Sequence, residues 1–317
     1  MTTLVTGAAG FIGTHVVQHL LDTGRDVVAT DLVPADDATG LRGVIDDPRL
    51  TYVPGDLAGQ LDALLPHVEQ VWHLAANTDI PAGATDTGVD VRSTTGLTHQ
   101  LLEALRRHPG RDLVLTSTSA VYGERTGSAS ETSGPLLPRS LYGAGKLAAE
   151  GLTSAYCATF GLRARIFRLG NVLGGGMRRG IVLDFLRKLG EDPRTLHVLG
   201  DGEQRKSYVL VDDVVAGMRH VTETTSGPEH PACDVYNLAA GGSVSTREVA
   251  RLVAAELGLD GVDVVAEQGG LSWPGDQPVV ELVVDKARAT GWAPTCTAPG
   301  SVSESARRLL AEQAVTA

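Results

Sequence analysis

Short apolar runs rich in β-branched residues alternate with amphipathic stretches of helical length through the first half of the chain. Residues 3–6, 26–31, 50–53, 70–75, 111–116 and 163–169 carry the strand pattern. Residues 11–21, 89–107 and 142–160 repeat their apolar positions at the three-to-four spacing of a helix. Parallel strands covered on both faces read as continuous apolar runs, and helices between them supply right-handed crossovers. The pattern predicts an α/β fold built on a doubly wound parallel sheet of the Rossmann kind. After Gly170 the rhythm breaks, with a glycine run at 174–176, a helix over 180–189 and strands at 196–199 and 207–211. A helix over 212–222, a strand at 235–239 and a helix over 245–257 that opens on Ser-Thr follow. The expected organisation is a sheet domain over residues 1–170 and a smaller C-terminal lobe over 171–317, with segments that interleave with the sheet.

Composition narrows the class of partner. The 317 residues are 42% hydrophobic and 21% charged, the proportions of a folded globule. Only 4% are aromatic, so Ala, Val and Leu must fill the core. A formal charge of −11 argues against coating nucleic acid, which needs a basic face, but leaves room for a local basic pocket. The chain enters a strand at once, without a charged and then apolar leader, and no apolar run reaches membrane-spanning length. A cytoplasmic protein with no membrane partner is expected. Cys157, Cys233 and Cys296 are odd in number and far apart, which predicts neither a disulfide framework nor a cysteine zinc site. His15 and His19 stand four apart without the Glu of a zinc-binding helix, so no metal is expected.

Candidate chemistry begins where the first strand ends. Thr6-Gly7-Ala8-Ala9-Gly10-Phe11-Ile12-Gly13 runs straight into a helix, and its glycines let backbone amides approach a pyrophosphate. Asp31 closes the second strand, where a carboxylate can accept from an adenosine ribose and repel a 2′-phosphate. NAD is therefore favoured over NADP. Asp56 and Leu57, after the third strand, are candidates for the adenine side. Tyr142 and Lys146 stand four apart on one helical face, so the ammonium can ease ionisation of the phenol and make it a proton acceptor. Thr116-Ser117-Thr118-Ser119 supplies hydroxyls about twenty residues earlier, at the same sheet edge.

These blocks together resemble the extended short-chain dehydrogenases/reductases, in the NAD-dependent nucleotide-sugar epimerase and dehydratase group typified by UDP-glucose 4-epimerase. The matching text is TGAAGFIG, GDL at 55–57, HLAA at 73–76, STSAVYG, YGAGKLAAE, RLGNVLG, GDGEQRKSYVLVDD, WPGD and GWAP, in order from residue 4 to residue 294. The resemblance implies a cofactor site from Gly7, Gly10, Phe11, Ile12, Gly13, Asp31, Asp56, Leu57, Leu74, Ala75 and Ala76. It implies Tyr142 as base, Lys146 as cofactor anchor, Thr118 as the hydroxyl beside the base, and Asn171, Lys206 and Asp276 around the nucleotide sugar. It also implies a homodimer through the helices at 89–107 and 142–160. The chain departs from the pattern in places. Thr94 stands where many members have Asn, Gly145 replaces a common Ser, and Gly175-Gly176 replaces Pro-Arg. Leu271 stands where many have an Arg for the pyrophosphate, leaving Arg178, Arg179 and Arg205 as possible substitutes.

The family's reactions share a first oxidation and then diverge. A 4,6-dehydratase adds an Asp-Glu pair directly after the catalytic Thr, and here those positions are Ser119 and Ala120, neither able to do acid–base work near neutral pH. Epimerisation at C4 of a UDP-hexose or UDP-hexuronate through a 4-keto sugar is the leading expectation. A 5,6-type dehydratase is the alternative within the family. A non-catalytic NAD-binding regulator is the alternative from another class, and it has no need of the Tyr-Lys pair.

Overall fold

The computed structural model describes residues 1–125, 127–266 and 276–316. Six strands, β1 (Thr2–Thr6), β2 (Asp26–Asp31), β3 (Leu50–Pro54), β4 (Gln70–His73), β5 (Asp112–Thr118) and β6 (Arg163–Leu169), join a seventh, Cys233–Leu238. Their order across the sheet is Cys233–Leu238, β6, β5, β4, β1, β2, β3. Pairing is parallel, with Thr3 opposite Val27 of β2 and Gln70 of β4. The doubly wound Rossmann-type sheet expected from the pattern is present. The chain runs outward from β1 to β3 and then returns to β4 on the other side of β1. That reversal makes the β1/β4 boundary the switch point, where a crevice opens beyond the strand ends.

The chain divides into two compact units. One comprises Met1–Val121, Ser140–Arg168 and Met218–Tyr236, and the other Tyr122–Arg139, Leu169–Gly217 and Asn237–Ala317. In the first, α1 (Phe11–Asp22) buries Val16, Val17, Leu20 and Leu21. Another apolar cluster joins Leu57 and Leu61 of α2 (Leu57–Leu64) to Leu101, Leu102 and Leu105 further along. Leu4, Val71, Leu113 and Ile166 from the sheet complete it. Each such buried leucine is worth about 1.5–3 kcal/mol, which lets a core almost without aromatics hold. After a short α3 (Ala82–Thr85) come α4 (Leu97–Arg107) and the 20-residue α5 (Leu141–Phe160). Helix α5 starts on Ser140, whose Oγ accepts from Gly143 N at 3.1 Å, and stops at Gly161 in the left-handed region (φ 71°).

Two boundaries differ from the pattern, and two helices fall outside it. Strand β4 ends at His73, so Leu74, Ala75 and Ala76 leave the sheet as loop. The helix expected over 89–107 opens as wide π-type turns at Val91–Gly96 before α4 begins. Hydroxyls there return to the backbone, as in Ser93 Oγ to Val89 O at 2.5 Å and Thr98 Oγ1 to Thr94 O at 2.8 Å, and compete with regular helix geometry. Helices at Leu57–Leu64 and Ala298–Thr316 lie outside the amphipathic stretches singled out above.

The second unit holds several small sheets. Asn171–Leu173 pairs in parallel with Tyr208–Leu210, and Arg205–Lys206 lies between Val244–Ser245 and Val279–Val280. The Ser-Thr start at 245 is a capping box. Ser245 Oγ accepts from Glu248 N at 3.1 Å, and Glu248 Oε2 accepts from Ser245 N at 2.7 Å. Among the described residues no helix is long and apolar enough to cross a membrane.

Candidate active site

The glycine turn sits at the switch point. Gly7 has φ 70°, and a Cβ there would lie 2.7 Å from Ala75 N, so the ends of β1 and β4 touch through bare backbone. A Cβ on Gly13 would lie 2.1 Å from Gly7 O, so glycine alone lets α1 pack this closely on the turn. Gly10 caps α1 without a side-chain hydrogen bond, leaving first-turn amides for an anion. Phe11 and Ile12 open that helix, half buried. Asp31 is bound to the same turn: Oδ2 accepts from Ala9 N at 3.0 Å and Oδ1 from Val33 N at 3.2 Å. These features fit a dinucleotide, with a pyrophosphate cradle and an acid at the ribose position.

The remaining candidates on this side separate by role. Asp56 is the N-cap of α2, its Oδ1 accepting from Ala58 N at 3.2 Å. Leu57 turns into the core. Leu74, Ala75 and Ala76 follow β4 at the switch point, where Leu74 N donates to Thr6 O at 3.2 Å and Ala75 N to Thr6 Oγ1 at 3.3 Å. His73 stands behind them, its Nδ1 2.8 Å from Thr6 Oγ1 and Nε2 3.3 Å from Thr98 Oγ1. Burial first, and then the charge of Lys146, pushes this imidazole down to about 3, so it is a neutral tie between β1, β4 and α4.

Thr118 ends β5, its Oγ1 accepting from Ala120 N at 3.2 Å. Ser119 and Ala120 follow in a short 3₁₀ turn, Ser119–Tyr122. Tyr142 lies half buried in the first turn of α5. One turn on, Lys146 is buried and donates from Nζ to Thr116 O at 2.9 Å. Helix α5 is thereby tied to the strand that carries Thr118, two residues beyond that carbonyl. Burial lowers the Lys146 ammonium to about 8, while Glu150 and Asp90 pull it back up. A further turn on, Glu150 Oε1 accepts from Ser117 Oγ at 2.5 Å and from Arg168 Nε at 3.0 Å. Its Oε2 accepts from Arg168 Nη2 at 2.6 Å. Sequence reasoning singled out none of His73, Asp90, Glu150 and Arg168 as individual site residues, although the i,i+4 step from Lys146 to Glu150 was visible.

In the second unit, Asn171 N donates to Ser207 O at 2.7 Å, which sets Asn171 beside the residue that follows Lys206. Lys206 is 13% exposed; its Nζ donates to Asp276 Oδ1 at 2.7 Å and to Gln277 O. The structure thus brings Lys206 and Asp276 together as an ion pair. Arg205 donates to Ser243 O at 2.9 Å and pairs with Glu248 at 3.2 Å. Arg178 and Arg179 are exposed, and Leu271 lies outside the described residues.

A parallel sheet with a glycine-rich first turn and a Tyr-x-x-x-Lys helix beside the fifth strand defines a dinucleotide-dependent short-chain dehydrogenase/reductase scaffold. The model of the NAD dependent epimerase/dehydratase family matches residues 3–239, and the chain belongs to that family of enzymes, whose cofactor is NAD. A dTDP-glucose 4,6-dehydratase from Streptomyces antibioticus is 35% identical over 280 residues, covering 85% of this chain and 82% of that protein. A UDP-glucose 4-epimerase from Mycolicibacterium smegmatis is 32% identical, covering 81% and 83%. The crystal structure of UDP-glucuronic acid 4-epimerase from Bacillus cereus, in complex with UDP-glucuronic acid and NAD, superposes with a TM-score of 0.87. It is 27% identical, with 98% of this chain and 100% of that chain covered.

Proposed function

We propose that this enzyme is a nucleotide-sugar 4-epimerase acting on a UDP-hexose or UDP-hexuronate. The observation that carries the reading is the Tyr142–Lys146 pair beside a strand end that reads Thr118-Ser119-Ala120. It supplies one base and a hydroxyl, and no acid–base pair for elimination. Bound NAD supplies the hydride acceptor and donor at the sugar carbon. Tyr142 takes the C4 hydroxyl proton and later returns it. Thr118 Oγ hydrogen-bonds the sugar oxygen, and the Lys146 ammonium favours the phenolate electrostatically while anchoring the nicotinamide ribose. Gly7, Gly10 and Gly13 admit the pyrophosphate, Asp31 accepts from the adenosine ribose, and Asn171, Lys206 and Asp276 bind the nucleotide sugar. Incubation with a panel of UDP- and dTDP-sugars, read by proton NMR, tests the reading. A C4 epimer formed without net NADH is the expected product. An unsaturated or 4-keto-6-deoxy product, released with loss of water, would replace this reading with a dehydratase.

Two further expectations arise here. Lys206→Ala should raise KM for the nucleotide sugar about tenfold and move kcat less, since an ammonium on a phosphate contributes mainly to binding. Steady-state kinetics at low and high salt checks this, and an unchanged KM would remove Lys206 from the site. We also infer a homodimer through α4 and α5. Phe160 is 50% exposed on α5, its ring tilted 58° against Tyr156 with centroids 5.1 Å apart, and the Arg106 guanidinium lies 5.4 Å from its centroid. An aromatic patch on neighbouring helices suits a self-complementary two-fold contact. Light scattering at micromolar concentration should give about twice 33.1 kDa, and a constant mass of one chain would reject the dimer.

A further inference from the structure

The turn that follows Thr118 is held at both ends by hydrogen bonds. At the near end Thr118 Oγ1 accepts from Ala120 N at 3.2 Å, so its own O–H is the group that can donate to a sugar oxygen. The direction of that O–H depends on where the turn Ser119–Tyr122 holds the Ala120 amide. At the far end the Tyr122 side chain is buried, and its hydroxyl donates to Asn237 Oδ1 at 2.7 Å.

Asn237 lies one residue before the end of the outer strand Cys233–Leu238 and is fully buried. Its Nδ2 donates to Ala129 O at 3.0 Å and to Val283 O at 2.9 Å, so both amide hydrogens are used and Oδ1 must face a donor. Its backbone N donates to Glu131 Oε1 at 2.8 Å. The two segments on Nδ2 are themselves joined: Ala129 N donates to Glu281 O at 2.7 Å, and Val283 N to Ala129 O at 2.9 Å. The same run passes Lys206, where Arg205 N donates to Pro278 O and Ser207 N to Val280 O, each at 2.8 Å. A buried polar network satisfied in this way is stiff. An Asn that served the lobe alone would need only its two carbonyls. The bond from Tyr122 serves a turn of four residues that begins directly after Thr118.

We propose that Asn237 is a positioning residue for the reaction, acting on the Thr118 hydroxyl through Tyr122 and the turn between them. Its effect on catalysis rests on the role given to Thr118 above, whereas its hold on the turn does not. With Tyr122 anchored, Ala120 N stays on Thr118 Oγ1 and the O–H keeps one direction. Without the anchor the turn loosens, the hydroxyl samples other directions, and fewer bound sugars are in reactive geometry.

Tyr122→Phe deletes the hydroxyl and keeps the ring. Amide exchange of the holoenzyme, followed by NMR, should rise about tenfold at Ala120, the order expected for one lost hydrogen bond, and stay unchanged at Gly143 in the α5 cap. Turnover should fall by about the same factor, with KM for the nucleotide sugar moving less. In a Thr118→Ala background, Tyr122→Phe should lower kcat less than about twofold further, because the hydroxyl it positions is gone. A merely structural role would multiply the two losses. Asn237→Ala removes the acceptor and should reproduce both the Ala120 exchange and the missing additivity; if it does not fold, Tyr122→Phe decides alone. Unchanged exchange at Ala120 in folded Tyr122→Phe overturns the proposal, and so do multiplied losses. If the unaltered enzyme yields a dehydrated sugar in place of a C4 epimer, the epimerase reading falls. The same variants assayed on that product then decide the role of Asn237.

Discussion

Tyr142→Phe is expected to lower kcat about 10²–10⁴-fold, the contribution of a positioned general base. The ring stays in the first turn of α5, and the cap from Ser140 to Gly143 and the Lys146 bond to Thr116 O do not involve the phenol oxygen. The fold and the NAD content of purified protein should therefore match those of the unaltered enzyme, measured as nucleotide released on denaturation. The loss should persist at every pH, because no second acid–base group follows Thr118. Thr118→Ala should cost less, since it removes a hydrogen bond and leaves the base. Full activity in Tyr142→Phe would mean that another group takes the proton and that the assignment of α5 as the catalytic helix is wrong.

The largest expected loss of stability comes from the buried pair behind that helix. Glu150 and Arg168 are 6% and 5% exposed and joined at 2.6 Å, with Ser117 on the same carboxylate. Removing one partner of such a pair strands the other charge in a dry site and costs about 3–5 kcal/mol. Arg168→Leu should thus lower the urea midpoint strongly and, at assay temperature, reduce the amount of folded enzyme. The double change Glu150→Leu with Arg168→Met should recover part of that loss, because two apolar side chains leave no unpaired charge. A single variant within about 1 kcal/mol of the unaltered protein would show the pair to be as solvated as a surface ion pair.

Much of this was visible in the residue pattern, and the limits are physical. Strands buried on both faces announce themselves as apolar runs, so the six strands of the first half could be placed from sequence within two residues. The Ser-Thr start at 245 could be read because a capping box is local. The candidate groups on single motifs, from Gly7 to Gly13 and from Tyr142 to Lys146, could be read for the same reason. Asn237 could not: it is an Asn near a strand end, and only the fold sets it against Tyr122, Ala129 and Val283. Glu150 and Arg168 are 18 residues apart on a helix and a strand, and nothing local pairs them. Lys206 and Asp276 could each be placed by resemblance to the family, but their ion pair belongs to the fold. The breakdown of regular helix at Val91–Gly96 arose from hydroxyls whose preference for the backbone competes with periodicity.

The outer strand Cys233–Leu238 covers β6, a strand buried along almost its whole length. During synthesis on the ribosome, β6 emerges long before its neighbour does. Until residue 238 is free of the exit tunnel, the sheet ends in a row of unpaired N–H and C=O groups, the kind of edge that recruits other chains. A messenger truncated between these two strands should therefore yield inclusion bodies rather than a soluble half-enzyme. Slow decoding in that interval should increase the demand for chaperones that shield nascent chains.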